Sequence, residues 1–216
     1  MTLIFYGSIA ISVLYGAFWC HGSANLYRVT TKTATTALLS LWALLAGGPV
    51  LLVAGLGLSA LGDAFLGADD EDQYLLPGMA AFFAAHVAYI ALFWAYLKPD
   101  LSLITLIAQG ALIAVAFGFL RYIVAWVDKP MRGPVIAYTI IIAIMGVLAL
   151  RLGPELWLAT VGALAFTSSD IILSLNLFKL EDDDPIRPVT ARLVWGLYYG
   201  GQALIAYAFV AHALAA

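Results

Sequence analysis

Apolar residues run along this chain in long blocks, each about as long as a bilayer-crossing helix and divided from the next by a short polar or Gly/Pro-containing connector. A window of about 20 residues resolves eight helices, at residues 3–20, 33–47, 49–67, 76–97, 101–120, 133–150, 155–177 and 192–214. The second block is short, and only Gly47-Gly48-Pro49 separates it from the third. That tripeptide suits a tight hairpin, and merging the two blocks would leave seven spans. The pattern predicts an all-α integral membrane protein, a bundle of about eight transmembrane helices. Residues 1–216 then form a single polytopic membrane domain with nothing left over for a soluble one.

Composition supports that reading: 64% of residues are hydrophobic and 11% are charged, and mean hydropathy is +0.99, a balance unlike that of a water-solvated domain. The segment from Leu3 to Cys20 is apolar but has no Lys or Arg before it. It therefore reads as a first span rather than a cleaved secretory signal. Cys20 is the only cysteine, so neither an intrachain disulfide nor a multi-cysteine metal site is expected. The net charge of −3 is uninformative, and no nucleic-acid partner is expected. The first, third, fifth and seventh loops hold Arg28, Lys32, Arg121, Lys129, Arg132, Lys179, Arg187 and Arg192, against Lys98 and Arg151 in the even loops. Because cations stay on the cytoplasmic side of short loops, both termini are expected outside, in a bacterial inner membrane.

Within these apolar blocks stand two aspartates, Asp63 and Asp170. An ionisable group held in hydrocarbon costs at least about 2.5 to 3.5 kcal/mol, so a functional site is the default explanation. Asp63 is expected about one turn, and Asp170 about two turns, from the cytoplasmic ends of their helices. Gly55, Ser59 and Asp63 recur every four residues with Gly62 beside them, a small-residue stripe that packs helices closely and turns Asp63 inward. Ala163, Thr167, Asp170 and Ser174 share a second such face, while Ile171, Ile172 and the stretch from Leu175 to Leu177 are expected on the lipid side.

Two further helices carry polar groups, His86 and Tyr89 on the fourth and Trp195, Tyr198 and Gln202 on the eighth, and all could line one cavity. The acidic runs Asp69-Asp-Glu-Asp72 and Glu181-Asp-Asp-Asp184 follow the two aspartates and suggest a four-plus-four internal repeat. Blander readings compete. A buried Asp can simply bond hydroxyls across helices, His86 alone is more often structural, the acidic runs suit solvated caps, and Trp126, Trp157 and Trp195 suit interfacial anchors. The three histidines lack metal-ligand spacing, so no metal and no other cofactor is expected.

Four segments carry a resemblance: Leu61-Gly-Asp-Ala-Phe-Leu66, Phe82-Phe-Ala-Ala-His-Val-Ala-Tyr89, Gly162 through Phe178 with Thr167-Ser-Ser-Asp170 at its centre, and Tyr198-Tyr-Gly-Gly-Gln202. In that order on helices 3, 4, 7 and 8, they resemble the YhhN-like lysoplasmalogenase family of multi-pass membrane hydrolases. The chain departs from the family's usual pattern after Lys32, where Thr33 stands in place of a proline. The resemblance implies cleavage of the vinyl ether bond of a lysoplasmalogen drawn from the bilayer, releasing a fatty aldehyde and glycerophosphoethanolamine or glycerophosphocholine. Asp63 and Asp170 are the candidate catalytic residues for it, with Lys32, His86, Tyr89, Asn176, Tyr198 and Gln202 expected around the substrate and the headgroup expected near Arg28, Lys32 or Lys179 on the cytoplasmic side.

Those residues suit the chemistry. Acid hydrolysis of a vinyl ether protonates the outer alkene carbon, and water captures the resulting oxocarbenium ion as a hemiacetal, which collapses to aldehyde and alcohol. Two carboxylates confined together outside water cannot both ionise cheaply, so one serves as acid while the other remains an anion, with the roles not yet distinguished. A proton- or cation-coupled transporter would also use intramembrane carboxylates, but the aspartates lie toward one face and their helices lack a central proline. An intramembrane aspartyl protease fits less well, since Ala60-Leu-Gly-Asp63 lacks the first glycine of a Gly-x-Gly-Asp motif.

Overall fold

The computed structural model describes residues 2–21, 25–68, 71–99, 101–181 and 183–215, without the side chains of Glu71 and Asp72. The acidic runs at 69–72 and 181–184 therefore fall partly outside the described residues. Among the described residues eight α-helices follow one another: α1 (Thr2–Phe18), α2 (Leu26–Leu45), α3 (Val50–Leu66), α4 (Glu71–Ala95), α5 (Leu103–Ile123), α6 (Lys129–Ala149), α7 (Trp157–Phe178) and α8 (Arg187–Ala215). Single 3-10 turns precede α6 and α7.

Three of these helices begin well before the apolar blocks do. In α2 the Asn25 side chain accepts a hydrogen bond from Arg28 N, capping the helix. Thr30 satisfies its hydroxyl on Leu26 O, so the polar first turns stay helical although a hydropathy window discards them. α8 starts at Arg187 because the Asp184 carboxylate accepts from Ile186 N at 2.9 Å. Pro188 is harmless there, since a first-turn residue needs no intrahelical donor. α4 begins at Glu71 and runs through Pro77 without ending. Between α2 and α3, Gly47 adopts φ 76°, the left-handed conformation open to glycine, and Pro49 then starts the next helix.

Among the described residues five stretches are long and apolar enough to cross a membrane: Gln73–Ala95, Leu103–Trp126, Lys129–Ala149, Pro154–Phe178 and Arg187–Ala215. The chain is an integral membrane protein. α1 and α3 have 17 residues each, about 26 Å of helix against a hydrocarbon core of about 30 Å. α5 is apolar on every side and leaves Leu103, Ile104, Ile107 and Phe117 exposed, as suits a helix whose solvent is lipid.

The core sits where α3 packs on α4 and α7 on α8, around Tyr89, Phe93, Phe166 and Phe209. The α3 stripe predicted from small residues faces α4, with Gly62 under the Phe82 ring. α7 and α8 approach still more closely: a Cβ on Gly162 would stand 2.6 Å from Gly201 O, and one on Gly201 the same distance from Gly162 O. Far from that crossing, Lys98 N donates to Arg151 O at 3.1 Å and Arg151 Nη2 returns a bond to Lys98 O at 3.0 Å. The two even-loop cations are thus tied together.

Trp195 is a correction. Expected as an interfacial anchor, it is buried, donates from Nε1 to Ser12 O at 3.0 Å, and stacks on Tyr199. Its place on α8 puts the indole against α1, whereas Trp126 and Trp157 remain exposed.

Gly201→Leu should lower the melting temperature of the detergent-solubilised protein, because overpacking a tight crossing costs about 1–3 kcal/mol. Gly196→Ala, at a position open on every side, should leave melting unchanged. Equal melting of both variants and the parent would show that the crossing is looser than described.

Candidate active site

The first carboxylate is assembled from three helices. Arg28, Lys32 and Thr36 recur every four residues along α2 and so share one face. Thr36 Oγ1 donates to Asp63 Oδ2 at 2.8 Å, and Tyr198 OH, from α8, donates to the same oxygen at 2.6 Å. Lys32 Nζ lies 3.2 Å from Asp63 Oδ1, giving a salt bridge whose acid is fully buried and whose base is 17% exposed. Asp63 is thereby surrounded by donors, as a carboxylate out of water requires.

Asp170 has different company. Tyr138 OH, from α6, donates to Asp170 Oδ2 at 3.4 Å, and His86 Nε2, from α4, lies 3.4 Å from the same oxygen. His86 is fully buried, and its Nδ1 sits 2.7 Å from Phe82 O. A carbonyl only accepts, so Nδ1 carries a hydrogen and the ring is oriented with Nε2 toward Asp170. Ser174 Oγ donates to the Asp170 main-chain carbonyl at 2.8 Å, holding the helix beside the carboxylate.

Aromatic rings join the two clusters. The Phe166 centroid lies 5.3 Å from that of Tyr198 and 4.8 Å from that of His86, and Phe82 packs edge-on to both Phe166 and Tyr198. Offset and edge-on contacts of this kind are worth about 0.5–1.5 kcal/mol beyond area burial and lock the rotamers of both acids' partners.

Both aspartates line a single cavity of about 660 Å³ together with Lys32, Asn176 and Tyr198, a volume within the range of small-molecule sites. Its inner wall includes Phe82, Trp195 and Ser169, and its apolar flank includes Leu66, Leu75, Leu173 and Leu177. At the mouth stand His21, Arg28, Arg187, Asp183 and Asp184, contributed by the α1–α2 and α7–α8 connections and the adjoining helix starts. The mouth therefore lies at the end of the bundle that holds odd-loop cations. Among the described residues no group of three or more His, Cys, Asp and Glu side chains could hold a metal ion.

The remaining residues singled out in the sequence lie elsewhere. Tyr89 OH donates to Gln202 Oε1, and Gln202 Nε2 donates to Ser59 Oγ at 2.9 Å. This buried chain ties α4, α8 and α3 together one layer behind the cavity lining, and His86 likewise stands behind Asp170 rather than on the wall. Lys179 donates to Tyr122 OH and lies over the Tyr122 and Trp126 rings, 5.0 and 5.4 Å from their centroids, away from the cavity. Leu177, expected on the lipid side, lines the cavity, because α7 is flanked there by the α8 start. Asn176 Oδ1 is buried with no hydrogen-bond partner among the described residues, although its main-chain oxygen accepts from Arg187 at 2.7 Å.

Sequence reasoning missed Thr36, Tyr138 and Phe166. Thr36 had a usable signal, four residues beyond Lys32 on an α2 face that also holds Arg28. Tyr138 had almost none: one hydroxyl in an apolar helix does not announce its partner on another.

Comparison with known proteins shows the family. The sequence profile of the YhhN family matches residues 27–209, which takes in every residue that touches either carboxylate. The chain is 33% identical over 159 residues to lysoplasmalogenase TMEM86B of Homo sapiens, in an alignment covering 72% of this chain and 61% of the relative. It thus spans about three fifths of that protein's length. No solved structure gives a significant match. With most of its length matched, including both aspartates and their partners, the chain belongs to the YhhN family.

Proposed function

We propose that the protein is a lysoplasmalogenase-type hydrolase, adding water across the vinyl ether of a single-chain phospholipid to release a fatty aldehyde and a glycerophospho-alcohol. The observation that carries this reading is the convergence of two buried carboxylates on one cavity with an apolar flank and a charged mouth that includes Arg28 and Arg187. Family membership and a relative named for this activity support it.

The cavity's polarity gradient matches the substrate's. A lysoplasmalogen has one hydrocarbon tail, a vinyl ether at the start of that tail, and a phosphate a few bonds beyond. With the vinyl ether at the carboxylates, the phosphate falls toward the positive charge of Arg28, Lys32 and Arg187. The tail lies along the leucines of α3, α4 and α7. Asn176, with its unpartnered amide oxygen, is suited to the glycerol hydroxyl. Tyr198 bonds Asp63 and lines the cavity, so it both fixes the acid and borders the substrate. Tyr89 and Gln202 support that wall from behind.

Chemistry follows from the pair. Protonation of the outer alkene carbon requires a proton donor, and the oxocarbenium ion that results requires an anion nearby in a low-dielectric site. A base then takes a proton as water adds. Two carboxyl groups meet these needs without metal or cofactor, by the logic of glycosidases, whose transition states are also oxocarbenium-like.

The eight helices are proposed as eight spans, the 17-residue α1 and α3 crossing where the bilayer thins or the flanking residues snorkel. Both termini then face away from the cytoplasm, and the cavity mouth faces it.

Aldehyde release from lysoplasmenylethanolamine and lysoplasmenylcholine by the purified protein tests the reading, with a saturated ether lipid as control. Asp63→Asn and Asp170→Asn should each lose at least about 100-fold in kcat, the usual worth of a general acid or base. Retained activity in either, or none in the parent, would sink it. Arg28→Glu should raise KM roughly tenfold, the equivalent of about 1.4 kcal/mol, whereas Lys179→Glu should change it less than about twofold because that lysine is engaged elsewhere. A C-terminal alkaline phosphatase fusion should be active, and an inactive one beside an active cytoplasmic reporter would invert the topology.

A further inference from the structure

The two carboxylates have unlike partners. We propose that Asp170, sharing a proton with His86, is the acid that protonates the vinyl ether, and that Asp63 is the anion that stabilises the cation and receives the proton of water. This assignment rests on the hydrolase reading above.

The hydrogen-bond inventory distinguishes the two. Asp63 Oδ2 accepts from Thr36 and Tyr198, and Oδ1 faces the Lys32 ammonium, which has three donors and no acceptor. Three of the roughly four acceptor positions of the carboxylate thus face donors, which favours the charged form and leaves one position on Oδ1 for the proton of water. Asp63 therefore rests as the anion and holds a proton only between water capture and collapse of the hemiacetal.

Around Asp170 the count runs the other way. With Nδ1 of His86 donating to Phe82 O, Nε2 can meet Asp170 Oδ2 favourably only if one hydrogen lies between them, on nitrogen or on oxygen. That proton belongs to the pair. The separation of 3.4 Å is long for a hydrogen bond, in keeping with catalytic contacts that tighten once substrate is bound. His86 Nε2 is buried and has no formal hydrogen-bond partner among the described residues, leaving Asp170 as the group it serves. Tyr138 donates to the same Asp170 oxygen, so the carboxylate left after proton transfer already has a donor in place. His86 does not line the cavity, which makes it a positioning residue acting through Asp170. The other charged or titratable groups around this centre are Lys32 on α2, Asp63 on α3, Tyr138 on α6 and Tyr198 on α8.

Each step balances. With substrate bound, the Asp170 carboxyl turns the shared proton from His86 toward the cavity; the alkene π pair takes it at the outer carbon, and an oxygen lone pair makes the oxocarbenium ion while Asp170 becomes a carboxylate. Water adds to the cationic carbon and gives its proton to Asp63, forming the hemiacetal. The bond from that carbon to the glycerol oxygen then breaks; the oxygen takes the proton from Asp63, and the hemiacetal hydroxyl returns one to Asp170. Aldehyde and alcohol leave, and both acids are restored.

The test follows hydrogen at the outer vinyl carbon. Full-length protein in detergent is given lysoplasmenylethanolamine in D2O, and aldehyde and recovered lipid are analysed by mass spectrometry for the parent and for Asp63→Asn, Asp170→Asn, His86→Gln and His86→Asn, each first checked for melting. Asp63→Asn should release little aldehyde yet wash deuterium into recovered lipid, because protonation survives while water capture fails. Asp170→Asn should show neither. At least one folded His86 variant should lose ten- to a hundredfold in kcat with KM within twofold, and the basic limb of its pH–kcat profile should move by a unit or more. Wash-in by Asp170→Asn alone would reverse the roles, and wash-in by neither Asn variant would overturn the assignment. An unmoved pH profile would reduce His86 to packing. A parent that releases no aldehyde from any vinyl ether lipid removes the hydrolase reading itself, a result distinct from all of these.

Discussion

A carboxylate taken out of water must find donors in the protein, and Asp63 finds three, from two helices other than its own. Leaving such a charge buried and unpaired costs several kcal/mol, whereas pairing it constrains every element that supplies a partner. α2 must present the face bearing Lys32 and Thr36, α8 must bring Tyr198 within hydrogen-bond reach, and α3 must point its small-residue stripe inward. The packing of α3 on α4 and of α7 on α8 follows from the same demand, since Phe82 and Phe166 wedge between the aspartates' partners and hold them in place. In a membrane, where apolar surface alone gives helices little reason to associate, such polar contacts and close backbone crossings carry much of the specificity.

That constraint also makes the cavity. Aromatic side chains and a bonded Tyr89–Gln202–Ser59 chain fill the bundle behind the aspartates, so the space left opens toward the first turns of α2 and α8, which bear Arg28 and Arg187. One wall is leucine and the mouth is charged, a gradient that suits an amphiphile in one orientation. Lys179 illustrates how burial and reach sort residues of like charge. It belongs to the same cation-rich set of loops as Lys32, yet aromatic rings at the α5 end hold it away from the cavity.

Much of this was legible in the chain. Eight apolar blocks became eight helices among the described residues, and the two aspartates stood out because charge inside an apolar block has a cost that something in the fold must repay. The four-residue recurrence of Gly55, Ser59 and Asp63 gave the direction of α3 correctly, since side chains one turn apart share a face whatever the helix packs against. Helix starts were less legible. Asn25 and Asp184 cap helices whose first turns are polar, and a window tuned to hydrocarbon ignores turns that lie outside it. Trp195 misled for a related reason: indole serves equally well at a membrane interface or, with a carbonyl to bond, inside a bundle.

The sequence by itself determined that the chain is helical and membrane-embedded and which two acids are buried, because hydrophobic length, helical period and the cost of charge are local properties. Which residues surround those acids was decided by tertiary structure alone. Thr36 and Lys32 reach Asp63 across 27 and 31 positions of chain (63 − 36 and 63 − 32), Tyr198 across 135, and Tyr138 reaches Asp170 across 32. No periodicity within one helix encodes such pairings, since they depend on how far each helix is rotated and displaced against its neighbours. The distinction between an acid ringed by donors and an acid facing a buried histidine exists only once those helices have packed.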